Sequence, residues 1–396
     1  MATLSFAEAR QTVLAEVQVP TAIPSELVSL LEAQNRICAR NIASDRDMPP
    51  LPRSLRDGYG VRAADLPATL KVDGEVRAGQ LPAKPISPQT AISIMTGAIV
   101  PEGVTQIVMK EHVERKGQSV VINRPPNPGE WISPSGSLAK SGQILLPKGR
   151  RIDSSGISIL ATAGFTQVPV YTRPLVRILA TGDEVIEVPR NPSPAEVRNS
   201  NSWALAAEVQ RFGGRAEILP IAIDDEPVTR DLIRYGLEAD LLLISGGVSA
   251  GDYDFVEAAL ANLKAEFYFD RVMIQPGQPT VFGKAGKCFF FGLPGNPLST
   301  MVTFRIFAEA ALARLCGIAE PSLLFHQAKM KDAYSHKPGL TRFLPGLLDA
   351  NTGSVDLIPW QGSADIPAIV RANCYVVVNS DHEAWQPGDY IEVLPK

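Results

Sequence analysis

Asp240-Leu-Leu-Leu-Ile-Ser-Gly-Gly-Val-Ser-Ala-Gly-Asp-Tyr-Asp254 and Cys288-Phe-Phe-Phe-Gly-Leu-Pro-Gly-Asn-Pro-Leu-Ser299 each run apolar and then break into a glycine-rich polar loop. A continuous apolar run bounded by turn residues is the pattern of a strand buried on both faces, usually followed by a helix. Together the two stretches predict two loops at the carboxyl edge of one parallel sheet, where open α/β sheets bind ligands. Bare backbone N–H groups, a serine and carboxylates suit an anionic, phosphate-bearing ligand.

The same rhythm extends outward. Residues 175–180 read as a strand ending in Thr181-Gly-Asp-Glu184, and Asn199-Ser-Asn201 offers N-caps for a helix to 212. A strand over 216–223, Asp224-Asp225, a helix to 237, a helix over 255–263 and a last helix to 315 complete an alternation that predicts a right-handed parallel sheet. Ser5-Phe-Ala-Glu8 has capping-box spacing and opens a helix to 17; a second helix is expected over 25–34. Short β runs (91–95, 106–112, 119–123) alternate with turns in residues 46–150, a helix covers 152–163 before Gly164, and β-rich segments follow Pro321. The expected organisation is α/β multidomain. It comprises an N-terminal linking domain (1–45 plus 139–172), a small β-rich inserted domain (46–138), a parallel α/β domain (173–318) and a C-terminal β barrel (319–396).

Bulk properties narrow the function. The chain has 396 residues, enough for two to four domains, with 45% hydrophobic and 20% charged residues. A net charge of −4 with scattered basic residues argues against nucleic acid as a partner. No apolar run reaches the ~18 residues a membrane span needs, and the first ten residues lack the apolar core of a signal peptide. Cys38, Cys288, Cys316 and Cys374 lie far apart and no CxxC occurs, so buried free thiols in a reducing cytoplasm are expected rather than a zinc site.

Three acidic loops, Thr181-Gly-Asp-Glu184, Asp224-Asp225 and Asp252/Asp254, end strands of the expected sheet. Each alone reads as a solvated turn. Converging, they need a cation beside an anionic ligand, and Mg²⁺, which prefers oxygen ligands and phosphates, is the natural bridge. Ser245-Gly-Gly-Val-Ser-Ala-Gly-Asp252 reads as a phosphate or ring cradle or as a tight turn, and Asn296 with Pro297 reads equally as helix capping. Propensity gives Asp57-Gly58 no role beyond a turn. Histidine lies outside these motifs, so histidine acid/base chemistry is not expected.

In this order the motifs resemble the molybdopterin molybdenumtransferase family, which comprises MoeA-type proteins and the E domain of gephyrin. The resemblance rests on Asp57-Gly-Tyr59, Met95-Thr-Gly-Ala98 with Pro101-Glu-Gly103, Thr181-Gly-Asp-Glu184, Ser245-Gly-Gly-Val-Ser-Ala-Gly251, Pro276-Gly277, Gly292-Leu-Pro-Gly-Asn-Pro297 and Gln361-Gly-Ser363. It implies a molybdopterin-binding fold and an elongated cytoplasmic homodimer. The site is expected in a cleft between the α/β domain of one subunit and the β domain of the other. The implied reaction inserts molybdate into adenylylated molybdopterin, with Mg²⁺-dependent release of AMP. The molybdopterin adenylyltransferase and molybdoenzyme apoproteins are the implied partners.

Carried over by position, Asp57, Thr96, Glu184, Asp224 and Asp254 are the catalytic candidates, the last three also for Mg²⁺. Gly246, Gly247, Ser249, Gly251, Arg271, Gln275, Gln278, Pro294, Gly295, Asn296, Pro297, Ser299 and Ser363 are the substrate-binding candidates. The chain departs from the family where it reads Gln275-Pro-Gly-Gln278 for Lys-Pro-Gly-Lys, Pro345 for an arginine, and Ser133-Pro-Ser-Gly-Ser-Leu138 for an arginine-rich run. Removing one charged hydrogen bond weakens oxyanion capture by ~1–3 kcal/mol. Arg271, Arg342 and Arg371 are candidate replacements. These substitutions define the alternative, a divergent paralogue that binds a pterin, a nucleotide or a protein partner without inserting metal.

Overall fold

The apolar runs that end in glycine are strands. A computed structural model of the chain describes residues 3–223, 225–247 and 255–396. Strands β1 (Leu175–Ala180), β2 (Arg215–Ile218), β3 (Leu241–Ser245), β4 (Glu266–Phe269), β5 (Val281–Ala285) and β6 (Cys288–Leu293) form one sheet in the order β2-β1-β3-β6-β5-β4. The first four in that order are mutually parallel. Strands β5 and β4 run antiparallel to their neighbours, so the expected all-parallel sheet is a mixed one. The reason lies in connection length. Ala285 sits opposite Cys288, and a two-residue link closes a hairpin but cannot make the long crossover a parallel pair requires.

Every residue of β3 and β6 is buried. Their side chains alternate between two cores: Leu241, Leu243, Phe289 and Phe291 pack on one face, Leu242, Ile244 and Phe290 on the other. Burying each such side chain contributes ~1.5–3 kcal/mol, which is why these runs carry no polar residue until they reach the sheet edge. Helices α1 (Asn201–Arg211), α2 (Glu226–Gly236), α3 (Phe255–Asn262) and α4 (Pro297–Thr303) accompany the sheet. Asp225 caps α2 by accepting from the Val228 N–H at 3.0 Å. The strand expected over 216–223 ends at Ile218.

After Pro321 the β segments close on themselves. Thr341–Asp349 pairs with both Ser354–Leu357 and Cys374–Val378, and His326–Met330 and Tyr390–Pro395 complete a five-stranded ring. Closure removes the sheet edges except beside Thr341 and Arg342, where the long strand extends past Ser354–Leu357. Ile274–Gln275, in the connector between β4 and β5, adds to this barrel in parallel, with Ile274 opposite Thr341 and Gln275 opposite Arg342.

The chain falls into two compact units. One holds residues up to Ala39, Gly149–Asp153 and Pro169–Lys396, and so contains the α/β sheet and the barrel. Its first helix, Phe6–Glu16, carries the expected capping box, with Ser5 and Glu8 exchanging hydrogen bonds. The helix expected over 25–34 is absent. Ser25–Ser29 is a strand, drawn into a two-stranded sheet, and it ends in a turn where the Ser29 N–H and hydroxyl both donate to Glu32. Pairing overrides helix propensity over so short a stretch. The other unit is Arg40–Lys148 with Ser154–Val168. Its six-stranded sheet runs in the order Gln106–Met109, Gly58–Val61, Thr90–Ile94, Ala68–Val76, Ser119–Ile122, Glu114–Lys116. The expected helix is Ser154–Thr162, followed by Gly164 at φ +78°. Among the described residues no helix is long and apolar enough to cross a membrane. All four cysteines are buried.

Candidate functional site

The loops that leave β1, β3 and β6 wall a cavity of about 820 Å³, within the range of small-molecule sites. Backbone bonds set their registers: the Thr181 N–H donates to the Ser245 carbonyl at 3.1 Å, and the Gly246 N–H to the Leu293 carbonyl at 3.0 Å. Gly246 and Gly247 have φ of +95° and +63°. A Cβ on Gly246 would stand 2.7 Å from the Thr181 carbonyl oxygen, and one on Gly247 2.7 Å from Thr181 Oγ1. Only glycine satisfies both the left-handed backbone and this approach. Thr181 is 7% exposed, and its Oγ1 has no hydrogen-bond partner among the described residues.

Asn201 joins the two loops. Its Nδ2 donates to Ser245 Oγ at 2.9 Å and to the Gly295 carbonyl at 2.7 Å. Asn199 is the cap of this helix, its Oδ1 accepting from the Ser202 N–H at 3.1 Å, while Ser200 makes no side-chain cap bond. Of three residues read as equivalent caps, one caps, and another binds loops 44 and 94 residues away in sequence.

Glu184 lines the cavity, its carboxylate folded back so that a Cβ on Gly182 would lie 2.5 Å from Oε2. Among the described residues no hydrogen-bond donor reaches that carboxylate. Beside it, Val185–Ile186 pairs in parallel with Val197–Arg198, and the Val197 N–H donates to the Glu184 carbonyl at 2.8 Å. Gly246, Gly247, Gly295, Asn296 and Pro297 also line the cavity, as do Arg198, Asn199, Ser200 and Asn201, which sequence reasoning did not place in a site. Asp224, Ser249, Gly251 and Asp254 lie outside the described residues.

The remaining candidates of this unit lie elsewhere. Pro294 and Ser299 are buried behind the rim. The Ser363 carbonyl accepts from the Leu298 N–H at 2.9 Å, tying the segment that precedes Ala364 to the start of α4. Gln275 is half-buried and Gln278 exposed; the Gln278 carbonyl accepts from the Val272 and Thr280 N–H groups at 3.0 Å. Neither glutamine lines the cavity, nor do exposed Arg271 or buried Pro345. Arg342 does not line the cavity either. Arg371 donates to the Pro359 carbonyl at 3.2 Å.

In the other unit, Asp57 and Thr96 meet directly. Asp57 Oδ1 accepts from the Thr96 N–H at 2.7 Å and from its hydroxyl at 2.9 Å, and Lys110 Nζ lies 3.4 Å from Oδ2. The Thr96 N–H first, then its hydroxyl and Lys110, hold the Asp57 carboxyl below the usual carboxylate range. Gly58 makes the corner possible, since a Cβ there would stand 2.0 Å from the Val108 carbonyl oxygen.

Among the described residues no three His, Cys, Asp or Glu side chains group as a metal cluster. Among the described residues Glu184 is the carboxylate that lines the cavity, and such a site still fits Mg²⁺, which is commonly held by one or two carboxylates together with substrate phosphates.

Three family models match in sequence order: the MoeA N-terminal region (domain I and II) over residues 4–164, a probable molybdopterin binding domain over 177–314, and the MoeA C-terminal region (domain IV) over 327–396. The chain is 30% identical to a molybdopterin molybdenumtransferase of Haemophilus influenzae, over 99% of this chain and 98% of that one. It is 35% identical to one from a Nostoc species over 75% and 70%. The structure of a Pyrococcus horikoshii protein titled as molybdopterin biosynthesis moeA protein matches over 100% of both chains, with a TM-score of 0.85 and 27% identity.

Proposed function

The chain belongs to the MoeA family of molybdopterin molybdenumtransferases and works in molybdenum cofactor biosynthesis; from that premise we propose that its cavity receives adenylylated molybdopterin, into which molybdate is inserted with release of AMP. The observation that carries this reading is the cavity itself: three strand-end loops converge on one volume of about 820 Å³, large enough for a pterin joined to a nucleotide. The backbone of Gly246 and Gly247 and the amides of Asn201 and Asn296 supply its neutral polar groups. Glu184, with Asp224 and Asp254, would hold Mg²⁺. When bound, Mg²⁺ neutralises phosphate charge and so eases departure of the nucleotide.

Asp57 is held ionised, which suits accepting a proton or steadying positive charge rather than donating a proton. Thr96 positions it by two hydrogen bonds. Gln275 and Gln278 remain the candidates nearest the family's oxyanion clamp, now as neutral amide donors. A cytoplasmic homodimer with the molybdopterin adenylyltransferase and molybdoenzyme apoproteins as partners completes the proposal. The test supplies purified chain with adenylylated molybdopterin, Mg²⁺ and molybdate. Molybdate-dependent AMP release with cofactor formation is the expected result; no cofactor at millimolar molybdate rejects it.

A further inference from the structure

We propose that Arg198 is the cation that grips the phosphate of the substrate's nucleotide portion, an inference that rests on the reading of the cavity given above. Arg198 lines the cavity on the strand that pairs with the one following Glu184, where Ile186 stands opposite it. Its side chain is held from behind: Nε donates to the Arg190 carbonyl at 3.0 Å, and Nη2 to Asn191 Oδ1 at 3.4 Å. Both partners are neutral. Among the described residues no carboxylate pairs with Arg198, although Glu184 immediately precedes the neighbouring strand and Glu196 is engaged by Arg190 at 3.8 Å. A guanidinium fixed by neutral acceptors, with no counter-ion among the described residues, keeps its charge for a ligand.

The arrangement sets opposite charges on adjacent chain segments without joining them. Among the described residues Glu184 meets no donor and Arg198 no carboxylate. A phosphate bridged to a divalent cation satisfies both at once, with the metal on the carboxylate and the phosphate oxygens on the guanidinium. The neutral rims formed by Gly246, Gly247 and Asn296 cannot supply that charge. The Gln275-Pro-Gly-Gln278 segment carries none either.

Calorimetric titration of the full-length chain, Arg198→Gln and Arg198→Lys with AMP, adenosine and molybdate, each with Mg²⁺, tests this. Arg198→Gln is expected to weaken AMP about tenfold, the effect of removing one charge-assisted hydrogen bond, with adenosine affinity and thermal unfolding unchanged. Arg198→Lys should recover part of the affinity. AMP affinity equal to the unmodified chain overturns the proposal, as does an equal weakening for adenosine, or a weakening confined to molybdate. An unmodified chain that binds neither AMP nor molybdate overturns the reading of the cavity and this inference with it. A chain that forms cofactor while Arg198→Gln leaves AMP affinity intact overturns the inference alone.

Discussion

Asp57 and Glu184 are both acids next to a glycine or one residue from it, and their surroundings are opposite. Asp57 accepts two hydrogen bonds from Thr96 and faces Lys110, so its charge is already answered by the protein. Glu184 has no donor among the described residues, and the cation on the neighbouring strand does not pair with it. One acid is held in a corner by the protein's own donors; the other, among the described residues, is left for a bound cation to balance. A carboxylate's sequence neighbours do not reveal which kind it is, because the donors that decide lie far along the chain.

The contrast can be broken most severely at Gly58. A Cβ 2.0 Å from a backbone oxygen cannot be relieved by a side-chain rotation, so Gly58→Ala should cost ~3–5 kcal/mol. Urea unfolding measures this, and a change under ~1 kcal/mol would show that the Gly58–Val61 strand yields more readily than its packing implies. Glu184→Gln comes next. It should leave stability within ~0.5 kcal/mol yet weaken Mg²⁺-dependent AMP binding by ~1.5–3 kcal/mol, because it removes a charged ligand and no internal partner. Equal affinity with and without the carboxylate would place the cation elsewhere.

The smallest effect belongs to Thr96→Val. It removes the hydroxyl and keeps the N–H, so the Asp57 pKa should rise partway toward its ordinary value of 3.8. The sign follows from linkage. A depressed folded-state pKa stabilises above the unfolded value, and that stabilisation is lost as pH falls through the folded one. The variant therefore starts to lose it at higher pH than the unmodified chain. Carbon-detected NMR titration of Asp57 reads the shift, and an unmoved or lowered pKa contradicts the role given to Thr96.

Much of the fold was legible because its signals are local. The apolar runs 241–245 and 288–293 needed only their own composition to read as buried strands, and Ser5 with Glu8 announced a helix start three residues apart. The failures have a common cause. Residues 25–34 carry helix-forming side chains, yet the backbone of Ser25–Ser29 pairs with a distant strand. The hairpin between β5 and β6 broke the strand–helix rhythm through a link of two residues, Gly286 and Lys287. The cavity loops were expected from their glycines, but Asn201 read as a cap and Arg198 as nothing in particular. Their roles arise from tertiary neighbours: Ser245 and Gly295 for the amide, and the strand after Glu184 for the guanidinium.

The short strand Ile274–Gln275 belongs covalently to the α/β domain and by hydrogen bonding to the barrel. The two are therefore not interchangeable modules. A truncation after Ile318 would leave that segment without its partner, and a barrel expressed alone would present Thr341 and Arg342 as a bare edge, open to pairing with another chain. A chimaera that swaps barrels between relatives should carry the connector from β4 to β5 along with its new barrel. The Gln275-Pro-Gly-Gln278 segment and the strand that receives its first residue are thus one structural joint shared by the sheet and the barrel.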